Sequence, residues 1–172
     1  MPVKIIAFGP MGENSGKHDV KSLLNYLSGE NPKRIFIALY QGVDTISPAL
    51  ADAYPMIPLV DVQCSSSPSA DLEGSSEMQI KMKVLELGLE TVSSYVQSNS
   101  LDMDSLNSEI TNSLYRAFFL FYSAAMKREY ELLFEERRMC SYGKLTENGA
   151  TDGDILIVPP WDAYWFYDRL GS

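Results

Sequence analysis

Apolar residues along the chain switch between two periods, and that switching predicts the elements. Four short runs rich in β-branched and aliphatic residues stand out: "VKIIAF" (3–8), "RIFIALY" (34–40), "MIPLVDV" (56–62) and "ILIV" (155–158). They alternate with segments of helical period, the arrangement expected of parallel strands joined by crossover helices. Val20, Leu23, Leu24 and Leu27 fall at i, i+3, i+4 and i+7, which predicts a helix with one face on the sheet, ended by Gly29 and followed by Pro32. A second helix is expected in "SPALADAY", with Ser47 as N-cap and Pro48 at its first position.

The third connection runs through "CSSSPSADLEGSS" into a helix from about Glu77, where Ser76 and Gln79 have capping-box spacing. Its buried stripe is predicted as Met78, Met82, Leu85, Leu89, Val92 and Val96. A helix, or a pair of helices, is expected from Asp104 to about Leu145, with Leu106, Ile110, Leu114, Ala117, Phe121, Ala125 and Leu132 on the buried face. Nearly every position from 117 to 126 is apolar, so burial on all sides is expected there. The charged stretch "KREYELLFEERR" should return that region to solvent. The aromatic tail "WDAYWFYDRL" predicts a short docking helix.

The fold class read from this pattern is α/β: a mainly parallel sheet of four or more strands flanked by helices, with a long helical region before the last strand. The 172 residues, 45% of them hydrophobic, fit a single domain spanning 1–172. In open sheets of this kind ligands bind beyond the carboxyl ends of the strands. That rule gathers "GPMGENSGKH", "QGVDT", "QCSSSPS" and "PPWDAY" at one rim and nominates Gly9, Gly12, Lys17, His18, Ser66 and Asp162 as ligand-binding residues.

Charge narrows the ligand class. With 23 acidic and 14 basic residues the net charge is −9, which disfavours nucleic acid and anionic membrane surfaces as partners. A small anion held on backbone amides near Asn14 to Lys17, with Lys17 supplying charge, fits the glycine-punctuated loop. The loop is neither a Walker loop nor a dinucleotide fingerprint: Met11 stands where the first Walker glycine belongs and His18 replaces the hydroxyl, while Gly9, Gly12 and Gly16 are misspaced for GxGxxG. Turn chemistry alone also accounts for those glycines.

Other chemistries are limited by scarcity. His18 is the only histidine, so a histidine-rich metal site is excluded and any catalytic triad must use that one residue. Asp44, Asp61 and Asp162 lie near strand ends and suit oxygen ligation of magnesium, but they form no recognised motif. Cys64 and Cys140 lack a CxxC partner and read as two reduced, buried thiols without a role. The opening "MPVKIIAFGP" has too short an apolar run for a secretory signal, and "AFFLFYSAAM" is about half the roughly 20 residues of a membrane span. A cytoplasmic protein is expected, with self-association through the aromatic tail or the long helix giving a homodimer.

Several segments, taken in order, resemble the TraB/PrgY-like proteins, a group that includes Tiki-type metalloproteases and erythromycin esterases. The residues that carry the resemblance are "AFGPMG" after the first strand, "IFIALYQG" at the second, "SSEM" at 75–78, "FEERRMCSYGKL" at 134–145 and "ILIVPPWDAY" at the end. Glu77, Glu136 and Arg137 match the family pattern and become the candidate catalytic residues. Gly12 stands at the family's first histidine, Ala38 at its strand-two glutamate and Asp162 at its final histidine, so the metal-binding groups are replaced. The resemblance implies an α/β fold with a pocket at the strand ends and the hydrolytic chemistry lost or altered. "GPM" after a first strand also resembles nucleoside deoxyribosyltransferase-like domains. This second resemblance implies a small enzyme acting on a nucleotide or nucleoside, with Glu77 as nucleophile behind the serine-rich loop.

Overall fold

The computed structural model describes residues 3–9, 19–40, 43–64 and 76–170. Four strands form the sheet: β1 (Lys4–Ala7), β2 (Ile35–Ile37), β3 (Leu59–Asp61) and β4 (Ile155–Val158). All pairings are parallel and the order is β1-β4-β2-β3, so the last strand inserts between the first two. Ile155 pairs with Lys4 on one side and Ile35 on the other. Every residue of β4 is buried, as a central strand covered on both faces must be. The predicted α/β class with a parallel sheet is what forms.

The helices are α1 (Val20–Leu27), α2 (Val43–Ala53), α3 (Ser76–Asn99), α4 (Met103–Leu106), α5 (Glu109–Ala125), α6 (Lys127–Tyr130), α7 (Glu136–Glu147) and α8 (Pro160–Leu170), with a π-helical turn at Glu131–Glu135 between α6 and α7. Asp19 caps α1 by accepting from the Ser22 amide at 2.8 Å, and Leu23 and Leu27 fill its buried face. The helix ends at Ser28 in right-handed geometry, one residue before the expected Gly29. The next helix begins at Val43, four residues ahead of Ser47, and takes Pro48 into its interior. Burying Ile46 and Leu50 one turn apart on the same face outweighs the lost backbone hydrogen bond.

In α3 the predicted stripe is the inner one: Leu85 and Val96 are buried, and Leu89 and Val92 pack against the core. Its partner α5 runs antiparallel, since the Tyr115 hydroxyl donates to Ser93 Oγ at 3.2 Å while Gly88 lies against Phe118 and Tyr122. A Cβ at Gly88 would fall 2.6 Å from the Tyr122 hydroxyl oxygen, so any larger residue there would force the Tyr122 side chain to move.

Three expectations for the 104–145 region fail, the first being burial on all sides at 117–126, where Leu120 is 63% exposed. The inner face of α5 is Thr111, Asn112, Tyr115 and Phe119, and the predicted face points to solvent, with Ile110 75% and Phe121 65% exposed. Both faces carry apolar residues, so periodicity alone offers two solutions, and the aromatic rings of Tyr115 and Phe119 take the core. The charged stretch behaves differently too: Glu129 and Arg138 are buried inside the protein. The aromatic tail docks as expected, with Ala163, Tyr164, Trp165 and Phe166 buried and the Tyr167 hydroxyl donating to the Ile5 carbonyl at 2.9 Å. Residues 10–18, 41–42 and 65–75 lie outside the described residues, and with them Gly12, Lys17, His18 and Ser66.

At the amino end of the sheet Asp154 is fully buried, accepting from Arg34 Nε at 3.1 Å, Arg34 Nη2 at 2.6 Å and the Thr151 amide at 2.7 Å. Burial alone would raise its pKa. The Arg34 fork and the Thr151 amide outweigh burial and lower it. The contribution of this carboxylate to stability is therefore complete above the ordinary aspartate value of about 3.9 and is lost as pH falls below it. Asp154→Asn is expected to lower unfolding free energy by about 3 kcal/mol at pH 7. Urea titrations of both proteins at pH 7 and pH 3 should show the gap narrowing in acid.

Candidate functional site

Beyond the carboxyl end of β4 the chain runs Pro159, Pro160, Trp161, Asp162 and turns into α8. Pro160 opens the helix, where its missing N–H is no loss, and Asp162 sits in the first turn, where the positive end of the helix dipole favours a carboxylate. Gly9, just past β1, packs against Pro160, with 3.7 Å from an ideal Cβ to the proline Cδ. The strand-end rule thus brings Gly9 and Asp162 together.

A single ion pair organises this end of the sheet. Asp162 is fully buried and its Oδ1 accepts from Arg138 Nε at 2.6 Å. Arg138 is itself fully buried, and its remaining nitrogens donate to the hydroxyls of Tyr130 at 3.0 Å and Tyr164 at 3.1 Å and to the Trp161 carbonyl at 3.1 Å. Phe119 lies 4.3 Å from the guanidinium, with Phe134 at 5.5 Å. Burial works against the charge on Arg138, while Asp162 and the two tyrosine oxygens restore it. Tyr164 is held well above the ordinary tyrosine pKa, by burial first, so its hydroxyl stays protonated.

Arg137, one residue earlier, is the group with unused capacity. Its side chain is 13% exposed and its guanidinium stacks 3.4 Å above the Tyr40 ring, at the end of β2. Nη2 stands 3.7 Å from Asp162 Oδ2, too far for a hydrogen bond. Arg137 Nε and Nη2, the Tyr40 hydroxyl, Trp161 Nε1 and Asp162 Oδ2 are all buried without a hydrogen-bond partner. Burial, then the Asp162 charge, raises the Tyr40 pKa, so its hydroxyl remains a donor. Four unused donor atoms in one cluster are an unusual expense for a folded chain. Two guanidiniums against one carboxylate also leave the cluster positive within a chain of net charge −9.

The other candidates separate from this cluster. Glu136, next in the chain, is exposed on α7. Glu77 begins α3 with its side chain 79% exposed and paired to Lys81 at 2.9 Å, which lowers its pKa. Asp44 and Asp61 are exposed, and Asp61 accepts from the Gln63 amide at 2.8 Å. Among the described residues no group of three or more His, Cys, Asp or Glu is placed to hold a metal ion, and no helix is long and apolar enough to cross a membrane.

Sequence reasoning missed Arg138, Tyr40 and Tyr130. A signal existed for Arg138: Phe134, Arg138, Ser141 and Leu145 fall at i, i+4, i+7 and i+11, a core-facing line with a cation in it. The line begins inside the π turn at 131–135, and such turns concentrate at functional sites. Behind the aromatic cage that Phe119, Tyr130, Phe134 and Tyr164 form around Arg138 lies an open cleft of about 460 Å³ lined by residues including Phe119, Tyr130, Tyr164 and Trp165. Its charges are already matched. Arg116 pairs with Asp168, and Glu135 accepts from Arg169 Nη2 at 2.7 Å and Trp165 Nε1 at 2.8 Å.

The expectation of two reduced thiols is overturned. Cys64, just past β3, is bonded to Cys140 on α7, with Cα atoms 6.1 Å apart. The partners are 76 residues apart in sequence, so their meeting depends on the whole crossover and no local spacing reveals it. The bond ties α7, the helix that carries Arg137 and Arg138, to the strand-end rim. No family model, curated protein or solved structure matches the chain.

Two measurements check this anatomy. Arg138→Met leaves Asp162 buried without its partner and should cost about 3–5 kcal/mol by urea unfolding, whereas adding Asp162→Asn should recover part of that loss. Breaking the disulfide through Cys64→Ser with Cys140→Ser should lower stability by about 2–4 kcal/mol, as should assay of the native chain under reducing conditions.

Proposed function

We propose that this chain is an α/β ligand-binding domain that takes a small anion, with the Arg137 guanidinium as anchor at the carboxyl edge of the sheet. The observation that carries the reading is the pair of buried, unpartnered nitrogens on Arg137. Leaving charged donors desolvated without hydrogen bonds is costly even with the Asp162 carboxylate 3.7 Å away, and the two oxygens of a carboxylate or phosphate fit a guanidinium edge with two parallel hydrogen bonds. The Tyr40 ring fixes the plane of the guanidinium, and the Tyr40 hydroxyl and Trp161 Nε1 offer further donors. Asp162 Oδ2 adds an acceptor that favours a ligand carrying a hydroxyl or amine beside its anionic group.

The reading agrees with the TraB/PrgY-like resemblance, in which a strand-end pocket keeps its place while metal ligands are replaced. Descent from that group is part of the proposal. The nucleoside-enzyme alternative depends on Glu77, whose exposed, lysine-paired carboxylate gives it no support. Location enters through the disulfide: such bonds persist in oxidising surroundings and are rare in a reducing cytoplasm, so the Cys64–Cys140 bond favours an oxidising compartment over the cytoplasmic expectation.

Thermal unfolding in sodium phosphate, succinate and AMP at constant ionic strength tests the proposal. The native chain should gain several degrees in Tm with at least one of them at millimolar concentration, as binding to the folded state alone requires. Arg137→Gln should abolish the gain while leaving the circular dichroism spectrum unchanged, and Arg137→Lys should retain only part of it. An equal gain in Arg137→Gln, or no gain from any of the three, would overturn the assignment. An AMP response lost in Glu77→Gln but kept in Arg137→Gln would instead favour the nucleotide enzyme.

A further inference from the structure

The outer side of the α3–α5 pair carries a second apolar stripe on each helix. On α3 it is Ile80, Val84, Leu87 and Tyr95, with Thr91 completing the 4-3-4-4 spacing, and on α5 it is Ile110, Leu114, Ala117 and Phe121. Each stripe lies about a quarter turn from the residues joining the two helices, Gly88 on α3, Phe118 and Tyr122 on α5. Because the helices are antiparallel and both right-handed, those quarter turns sweep to the same side, away from the core that takes Leu89 and Phe119. The two stripes therefore form one continuous face.

No Asp, Glu, Lys or Arg occupies a stripe position, although 22% of the chain is charged. The seven large side chains expose on the order of 800 Å², more than the roughly 300–600 Å² of a monomer's largest apolar patch. That area matches the ~800 Å² a side of a standard stable interface. The stripes themselves carry no charge, so two copies of a chain with net charge −9 can approach there with Glu109 only at the edge of the face.

We propose that a second copy of this chain covers the face, two α3–α5 hairpins packing through a two-fold axis into a four-helix bundle. The axis passes near Ala117, whose small side chain lets α5 cross its counterpart closely. The shape is self-complementary. A shallow, open depression of about 380 Å³, lined among the described residues by Glu109, Ile110, Ser113, Leu114 and Ala117, lies on the amino half of α5, and Phe121 projects from the carboxyl half. An antiparallel crossing of the two α5 helices carries Phe121 of each copy into the depression of the other, the isologous arrangement of a closed dimer.

Sedimentation velocity from 1 to 100 μM, with multi-angle light scattering, should return twice the 19.2 kDa chain mass. Phe121→Glu and Leu87→Glu replace exposed side chains and should each raise the dimer dissociation constant at least 100-fold with unchanged circular dichroism. Ala117→Cys in the otherwise native chain should be captured as a dimer by a short bis-maleimide, the native cysteines being bonded to each other. A native chain that stays monomeric at 100 μM overturns the proposal, as does a dimer that survives both glutamate variants or leaves Ala117→Cys uncaptured. A monomer that instead cosediments with phosphatidylcholine vesicles, and loses that binding in Phe121→Glu, assigns the face to a lipid surface.

Discussion

Burial of Arg138 against Asp162 is the constraint around which the carboxyl end of the sheet is arranged. Both side chains are fully buried, so each lost its hydration on folding, and the 2.6 Å bond restores only part of that loss. The remainder is met by geometry: two tyrosine hydroxyls, a backbone carbonyl and a close aromatic ring all converge on one guanidinium. Such a group tolerates little displacement, so it fixes α7 relative to the first turn of α8. Adjacent residues on a helix diverge by about 100°. With Arg138 committed inward, Arg137 is left over Tyr40 at the rim with its nitrogens unused.

A second arginine and a second aspartate do the same at the opposite end of β4. Asp154 lies just before the strand and Asp162 four residues after it, both fully buried, and their arginines come from elsewhere in the fold, Arg34 at the start of β2 and Arg138 on α7. The strand between them is wholly aliphatic. Aliphatic side chains give a buried strand its energy but little information about register, since Ile, Leu and Val interchange at small cost. The carboxylates supply the missing specificity, because sliding β4 by one residue would separate both from their partners. The disulfide from the rim to α7 constrains the same region from a third direction.

How much of this was legible in the sequence follows from the range of each signal. Periodicity acts over one or two helical turns, and it placed all four strands, the inner stripe of α3 and the docking helix of the tail. It failed at α5, where Ile110, Leu114 and Phe121 repeat as regularly as Tyr115 and Phe119, and only the position of α8 and the π turn decides which line faces inward. Strand-end reasoning put Gly9 and Asp162 at one rim, where Gly9 packs on Pro160 in the same first turn as Asp162, while Arg137 drew notice only through the family resemblance, as a catalytic candidate. Arg138, Tyr40 and the cysteine pair were hidden because each acquires its meaning from a residue more than 20 positions away.

The two apolar lines on α5 explain how the chain can retain such a face. Tyr115, Phe119 and the aromatic cage press on α5 from within, and Phe118 and Tyr122 press on α3 from the side, so the helix is held whether or not its outer line is covered. Ile110, Leu114 and Phe121 therefore contribute less to the fold of one chain than the inner line does, although the Phe121 ring packs edge-on against Tyr122. Exposed apolar residues that do little folding work carry a standing aggregation hazard, and three of them at helical spacing, matched by another line on α3, form a surface that any similar surface can recognise. In the dimer proposed above, covering the face with its own image would remove that hazard and leave the rim around Arg137, at the sheet's carboxyl edge, free for the proposed ligand.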